Sequence, residues 1–280
     1  MLRLTALTAF SLPLAGALCA SAAAEATASV EAASPLKLGV ASYSLANSTP
    51  DQVIAALKSL RINYVSLYKT HCPWAGSAEE CRAAARKFTD AGLTVTGSGV
   101  IDLPNNEAAL RKAFENAKAA GLPTMVCKPA LDAFPLVEKF VKEFDQRLAI
   151  HNHGPEDKVY PSPYIAWDAI QPYDQRIGLC IDVGHAARSG ADPVEAIRKC
   201  HSRLYDVHLK DSLAALGATK DEPTEVGRGK LDIKGMLAAL IELKYEHIVA
   251  FEYEKRSSDP VAGLAESVAY VRKVVAGLAK

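Results

Sequence analysis

Four stretches of the chain each run an apolar segment into a side chain that can bind a cation or move a proton. LAIHNHG carries His151 and His153, CIDVGH carries Asp182 and His185, LYDVHLKD carries His208 and Lys210, and VAFEYE carries Glu252. His151 and His153 stand two apart, so on a strand both imidazoles point to one face. Imidazole nitrogen combined with carboxylate oxygen suits Mn, Co, Zn, Fe or Ni better than Ca or Mg. Each residue alone also has a plain structural reading. A histidine in an apolar strand is commonly a core residue bonded to backbone, and Glu252 with Glu254 could close a solvated strand end. Buried together without a cation, two imidazoles and two carboxylates carry a large desolvation penalty. Their joint occurrence points to a divalent metal, with Mn, Co or Zn ahead of Mg.

The elements that must position them follow a regular beat. From Leu36 the sequence alternates short apolar runs with longer helical patterns: LKLGVASYS, YVSLY, LTVTGSGV, TMVCK, RLAIHN, IGLCID, LYDVHL and HIVAFEY each precede a helix. Thr49 with Gln52 and Ser77 with Glu80 have capping-box spacing, and Pro50 fits a first helical turn. Eight strand-helix units in one uninterrupted stretch predict a (β/α)8 TIM barrel, an α/β single domain. An open doubly wound sheet would want a glycine-rich phosphate loop after its first strand, and ASYSLANS is not one. In a parallel barrel the chemistry sits where strands end, so His151, Asp182, His208 and Glu252 end strands five to eight around one mouth.

The first residues bear on destination. Arg3, the apolar run Leu4 to Leu18 and the small residues Ala20 to Ala24 predict a signal peptide over 1–24. A flexible leader follows over 25–35, then a barrel over 36–280. Leu18 argues against Cys19 as a lipoprotein site, and Pro13 breaks a run already too short to span a bilayer. The expected product is periplasmic or secreted. Lysine plus arginine number 32, as do aspartate plus glutamate, so no basic field exists for nucleic acid or an anionic membrane. Five cysteines follow the leader, too few and too scattered for a disulfide framework; whether Cys72 and Cys81 pair is open.

With HNHGPED, DVGH, DVHLKD, VGRGKLDI and YEHIVAFEYE in this order, Leu36 to Leu278 resembles the xylose isomerase-like TIM barrels, or sugar phosphate isomerase/epimerases. The resemblance implies a divalent cation held by His151, Asp182, His208 and Glu252, with His185 and Arg228 near the substrate. Relatives that epimerise ketoses usually have a glutamate ending strand five, where this chain has His151. Two-base epimerisation is thereby weakened, and a mechanism with one carboxylate, Glu252, and a different partner gains. His153 shares the face of His151 and is the alternative ligand; it stands one step further into the loop and is assigned to substrate.

Lys210 follows His208 by two, Lys128 ends strand four, and Lys69 and His71 end strand two. A partly desolvated lysine beside a metal can serve as base or neutralise a developing enolate, which makes Lys210 and Lys128 catalytic candidates with Glu252. Lys69 and His71 are assigned to substrate, and Asp206 is a candidate to orient His208. The expected reaction labilises a proton next to a carbonyl of a non-phosphorylated sugar or keto-sugar. Isomerisation, epimerisation or, on a 3-keto-glycoside, elimination follows. An endonuclease-type hydrolase and a non-catalytic sugar-binding protein are the further alternatives. The partner is a small sugar or glycoside, and self-association into a homo-oligomer is left open.

Overall fold

The computed structural model describes residues 34–279. The expected signal peptide and most of the leader lie outside the described residues. Pro35 onward forms one compact unit.

Strands and helices alternate as follows: β1 (Lys37–Ala41), α1 (Pro50–Ser59), β2 (Tyr64–Leu67), α2 (Ala78–Asp90), β3 (Thr94–Ser98), β4 (Ile101–Leu103), α3 (Glu107–Ala119), β5 (Thr124–Pro129) and α4 (Phe134–Phe144). The second half continues with β6 (Arg147–His151), α5 (Pro163–Ile170), β7 (Ile177–Asp182), α6 (Val183–Arg188), α7 (Pro193–Cys200) and β8 (Leu204–Leu209). A two-residue pair, β9 (Asp211–Ser212) and β10 (Pro223–Thr224), precedes α8 (Ile233–Glu242), β11 (Ile248–Phe251) and α9 (Pro260–Leu278). The strands pair in parallel in the order β3-β2-β1-β11-β8-β7-β6-β5-β4, a curled sheet wrapped by helices. This is the expected TIM barrel.

Both capping boxes form: Thr49 and Ser77 each accept from the third helical N–H while Gln52 and Glu80 reach back. Such caps contribute about 1 kcal/mol each. The helices then press Val53, Leu57, Phe88, Phe114, Phe140, Leu237 and Val268 against the outer face of the sheet, where all are buried. This shell holds the strand ends in place.

Two strands differ from expectation. LTVTGSGV is split, with β3 pairing to β2 and β4 pairing to β5. Ser98 bridges the seam, its Oγ donating to Val126 O and accepting from Val126 N at 3.1 Å each. Gly99 is needed there, because a Cβ would meet Tyr68 Cδ2 at 2.9 Å. LKLGVASYS is strand only to Ala41, and Ser42–Leu45 turns as a 3-10 helix. Its serines fasten neighbouring strand ends: Ser42 Oγ accepts from Tyr68 N and Ser44 Oγ from Tyr253 N, both at 2.8 Å. Cys72 and Cys81 are free, buried thiols. Cys81 Sγ donates to Pro73 O at 3.2 Å.

Candidate metal centre

Parallel pairing sets Asp182 level with His208, and Ala250 level with His208 on the other side. His151 closes β6 beside Cys180 of β7, and Glu252 follows the last residue of β11. The four side chains converge. One donor atom from each of His151, Asp182, His208 and Glu252 falls in a group whose members all lie within 4.8 Å. His151 Nε2 is 3.1 Å from His208 Nδ1 and 3.4 Å from Asp182 Oδ2, and His208 Nδ1 is 3.2 Å from Glu252 Oε2. All four residues are buried.

These spacings fit a cation. Ligand atoms about 2.0–2.2 Å from a transition metal stand about 3.0–3.5 Å apart. His151 Nδ1 and His208 Nε2 are buried without hydrogen-bond partners, and Asp182 Oδ2 receives no aligned hydrogen bond although Lys210 Nζ lies 2.8 Å away. Of these atoms Asp182 Oδ2 faces the other donors, and a shared ion there relieves the cost of leaving it without an aligned donor; the two unpaired ring nitrogens are the far edges of rings whose Nε2 and Nδ1 face the site. Burial lowers the His151 pKa to about 3, so that ring is neutral and able to ligate. Burial opposes ionisation of Asp182, but His185 and Lys210 outweigh it and hold its carboxyl well below the ordinary value. Burial likewise opposes the charge on Glu252, which His208 and Lys210 keep ionised.

Lys210 lies inside the cluster rather than on a solvated rim. Its ammonium is 2.8 Å from Asp182 Oδ2, 2.9 Å from Glu252 Oε2 and 2.8 Å from Glu254 Oε2. Burial alone would strip its proton; Asp182, Glu252 and Glu254 reverse that and raise its pKa well above the ordinary lysine value. Glu254 shares the face of Glu252 two residues earlier, and it is half-buried against Lys210 rather than closing a solvated strand end. Burial pushes its pKa up to about 7.

Above the quartet opens a cavity of about 460 Å³, lined by both halves of the barrel. His153, His185, Lys128 and Lys69 face it as expected. Asp182 caps α6, its Oδ1 accepting from His185 N at 2.8 Å, which brings the His185 ring to the mouth. Asp157 faces His153 Nδ1 at 3.0 Å and accepts from Lys128 Nζ at 2.5 Å. Val159 N and Tyr160 N donate to its other oxygen, so the carboxylate ties the loop after β6 to both residues. Nothing in the spacing of HNHGPED announces that role. Tyr43, Tyr68 and Asp102 also line the cavity. The two tyrosine rings meet edge to face at 4.8 Å.

Three assigned residues lie elsewhere. His71 is buried outside the cavity, with Nδ1 2.8 Å from Ser42 Oγ and Nε2 3.0 Å from Ser48 O. It fastens the loops after β1 and β2. Arg228 points outward and pairs with Glu266 of α9. The cause is Asp211, whose carboxylate accepts from the backbone N–H groups of Gly227, Gly229 and Leu231. Gly229 must lack a Cβ, which would sit 1.9 Å from Asp211 Oδ1. Asp206 does not orient His208: His208 Nε2 has no partner, and Asp206 Oδ1 is likewise buried and unpaired. Burial pushes the Asp206 pKa up to about 6.

Comparison with known proteins agrees with this fold. Over 149 residues the chain is 28% identical to a probable endonuclease 4 from Thermoplasma volcanium, covering 49% of this chain and 51% of that protein. Over 105 residues it is 30% identical to one from Mycobacterium ulcerans, covering 36% and 40%. The chain thus spans about half or less of these relatives. Among solved structures, L-ribulose 3-epimerase superposes with a TM-score of 0.71 at 15% identity, covering 87% of this chain and 95% of that one. The 3-keto-D-glucoside 4-epimerase of E. coli gives 0.65 at 15%, covering 85% and 99%. The IOLI protein with a bound zinc atom gives 0.69 at 15%, covering 87% and 98%. At such identities the likeness is one of fold. A family model for the xylose isomerase-like TIM barrel matches residues 54–274, and the chain belongs to that family.

Proposed function

We propose that this protein is a divalent-metal-dependent enzyme of the sugar isomerase/epimerase type. It removes a proton next to the carbonyl of a non-phosphorylated sugar or keto-sugar. The observation that carries the reading is the buried quartet of His151, Asp182, His208 and Glu252 beneath a cavity of about 460 Å³. When bound, a divalent ion there supplies a Lewis acid for carbonyl and hydroxyl oxygens. Mn, Co or Zn suits the two imidazoles and two carboxylates better than Mg. The zinc named for the IOLI protein supports this choice.

The protein's own groups do the rest. Glu252 lines the cavity and takes the proton from the carbon beside the carbonyl. Lys210, buried among carboxylates, keeps Asp182 and Glu252 ionised and in register. Lys128 and His153, both tied to Asp157, hold substrate oxygens, with Lys69 and His185 across the mouth.

A second reading is elimination from a 3-keto-glycoside. His151 stands where a second flanking carboxylate would serve epimerisation, and one-sided proton removal beside a glycosidic oxygen ends in cleavage. The cavity also has the size of pockets that enclose drug-sized ligands, which favours a glycoside over a single ring. The keto-glucoside named for the E. coli neighbour supports this substrate class. A DNA substrate is disfavoured by zero net charge. The leader residues support export and a periplasmic or secreted setting.

Metal-loaded protein incubated in deuterated water with a panel of ketoses and methyl 3-keto-glycosides tests the reading by NMR. Deuterium at the carbon next to the carbonyl is expected, with isomer, epimer or released aglycone naming the outcome. No exchange and no product with any of them would overturn it.

A further inference from the structure

The feature that the proposed chemistry leaves unexplained is the depth at which Lys210 is buried. We infer that Lys210 is a resident counter-cation of the metal centre, sharing its carboxylates with the divalent ion and keeping that ion's binding weak and exchangeable. This rests on reading His151, Asp182, His208 and Glu252 as the ion's ligands.

The ammonium meets Asp182 Oδ2 at 2.8 Å and Glu252 Oε2 at 2.9 Å. Those are the same two oxygens that face the imidazoles, at 3.4 Å from His151 Nε2 and 3.2 Å from His208 Nδ1. A divalent ion among the four donors must therefore draw on oxygens that an ammonium already engages. The third contact, 2.8 Å to Glu254 Oε2, lies outside the quartet and pulls the ammonium away from it. Only 4% of the Lys210 side chain is exposed, so water and salt do little to screen the repulsion between the two cations.

The fold makes room for this arrangement. β8 sets Lys210 two residues past His208 on the same face. At the start of α6, Gly184 leaves the space the lysine stem occupies, since a Cβ there would meet Lys210 Cβ at 3.2 Å. Exposed lysines release their partners to solvent at little cost, but this one is held in register by three anions.

The test measures metal affinity, not turnover. Mn²⁺ and Zn²⁺ are titrated into metal-stripped wild type, Lys210→Met and Glu254→Gln by calorimetry and chelator competition, with circular dichroism reporting the fold. Lys210→Met should bind at least about tenfold tighter, because it removes an unscreened like charge. Glu254→Gln should bind several-fold more weakly, because the ammonium then leans wholly on the two ligand carboxylates. A purely structural lysine would give losses in both variants, and that result, or unchanged affinity in Lys210→Met, overturns the inference while leaving the metal reading intact. Should Lys210→Met not fold, Lys210→Gln decides: tighter binding than wild type supports the inference, and unchanged or weaker binding overturns it. If neither wild type nor any variant binds metal, the metal reading falls and takes the inference with it. Binding seen in Lys210→Met but not in wild type would support it in its strongest form.

Discussion

The two halves of the barrel mouth are built from different materials. From β6 to β11 the rim is a set of buried ionisable groups, His151, Asp182, His208, Lys210 and Glu252, at most 8% exposed and packed within contact of one another. From β1 to β4 it is an open wall of Tyr43, Tyr68, Lys69 and Asp102, with Tyr43 40% exposed. A buried cluster of charge is rigid, because moving any member leaves another unpaired in a medium of low polarity. The open aromatic wall holds no such buried charges. The contrast is one of burial: the second half carries the packed charge cluster, and the first presents exposed aromatic and polar side chains to the cavity.

The sharpest way to break that division is the HNH pair. His151→Ala should cut metal affinity by about 100-fold or more, a loss at least as large as removing an outer-shell partner of a metal ligand. Activity should fall with it. His153→Ala should retain full metal content and raise KM for whichever keto-sugar is turned over. Elemental analysis of both variants checks this, and full metal content in His151→Ala would reverse the two assignments.

Tyr43→Ala probes the other side. Losing one aromatic face and its edge-to-face partner is worth about 0.5–1.5 kcal/mol, so KM should rise by up to about tenfold. Metal stoichiometry and kcat should stay as they are. A fall in kcat without a change in KM would mean the first half takes part in the chemical step.

Smaller effects separate fastening from function. His71→Ala removes a buried contact to Ser42 and a partly buried one to Ser48, and should lower unfolding stability by about 1–3 kcal/mol in denaturant titration while leaving metal affinity unchanged. Arg228→Ala should change neither stability nor KM measurably, since its pair with Glu266 is exposed. A large KM effect in Arg228→Ala would show that the loop brings this side chain inward when substrate binds.

How much of this was legible beforehand follows the same division. His151, Asp182, His208 and Glu252 could be read because each closes an apolar run, and strand ends of a parallel barrel share one mouth whatever the side-chain details. Helix starts were equally legible, since a capping box is a local matter of residues three apart. Tyr43 was not, because a 3-10 turn in place of strand depends on Ser42 and Ser44 reaching two other strands.

Sequence by itself therefore determined the barrel, its order of units and the four donors at its mouth. These rest on short-range patterns that any chain with the same spacing obeys. Tertiary structure decided which way long side chains turn. Arg228 was expected at the substrate and faces α9, because Asp211 captures the backbone on both sides of it. Lys210 was expected on the rim and lies in the core of the charge cluster, because three carboxylates from two other strand ends meet there. Asp157 and Glu254 became part of the site only through those meetings. A lysine's or an arginine's position is set by the nearest unpaired charge, and distance in space is what the sequence does not carry.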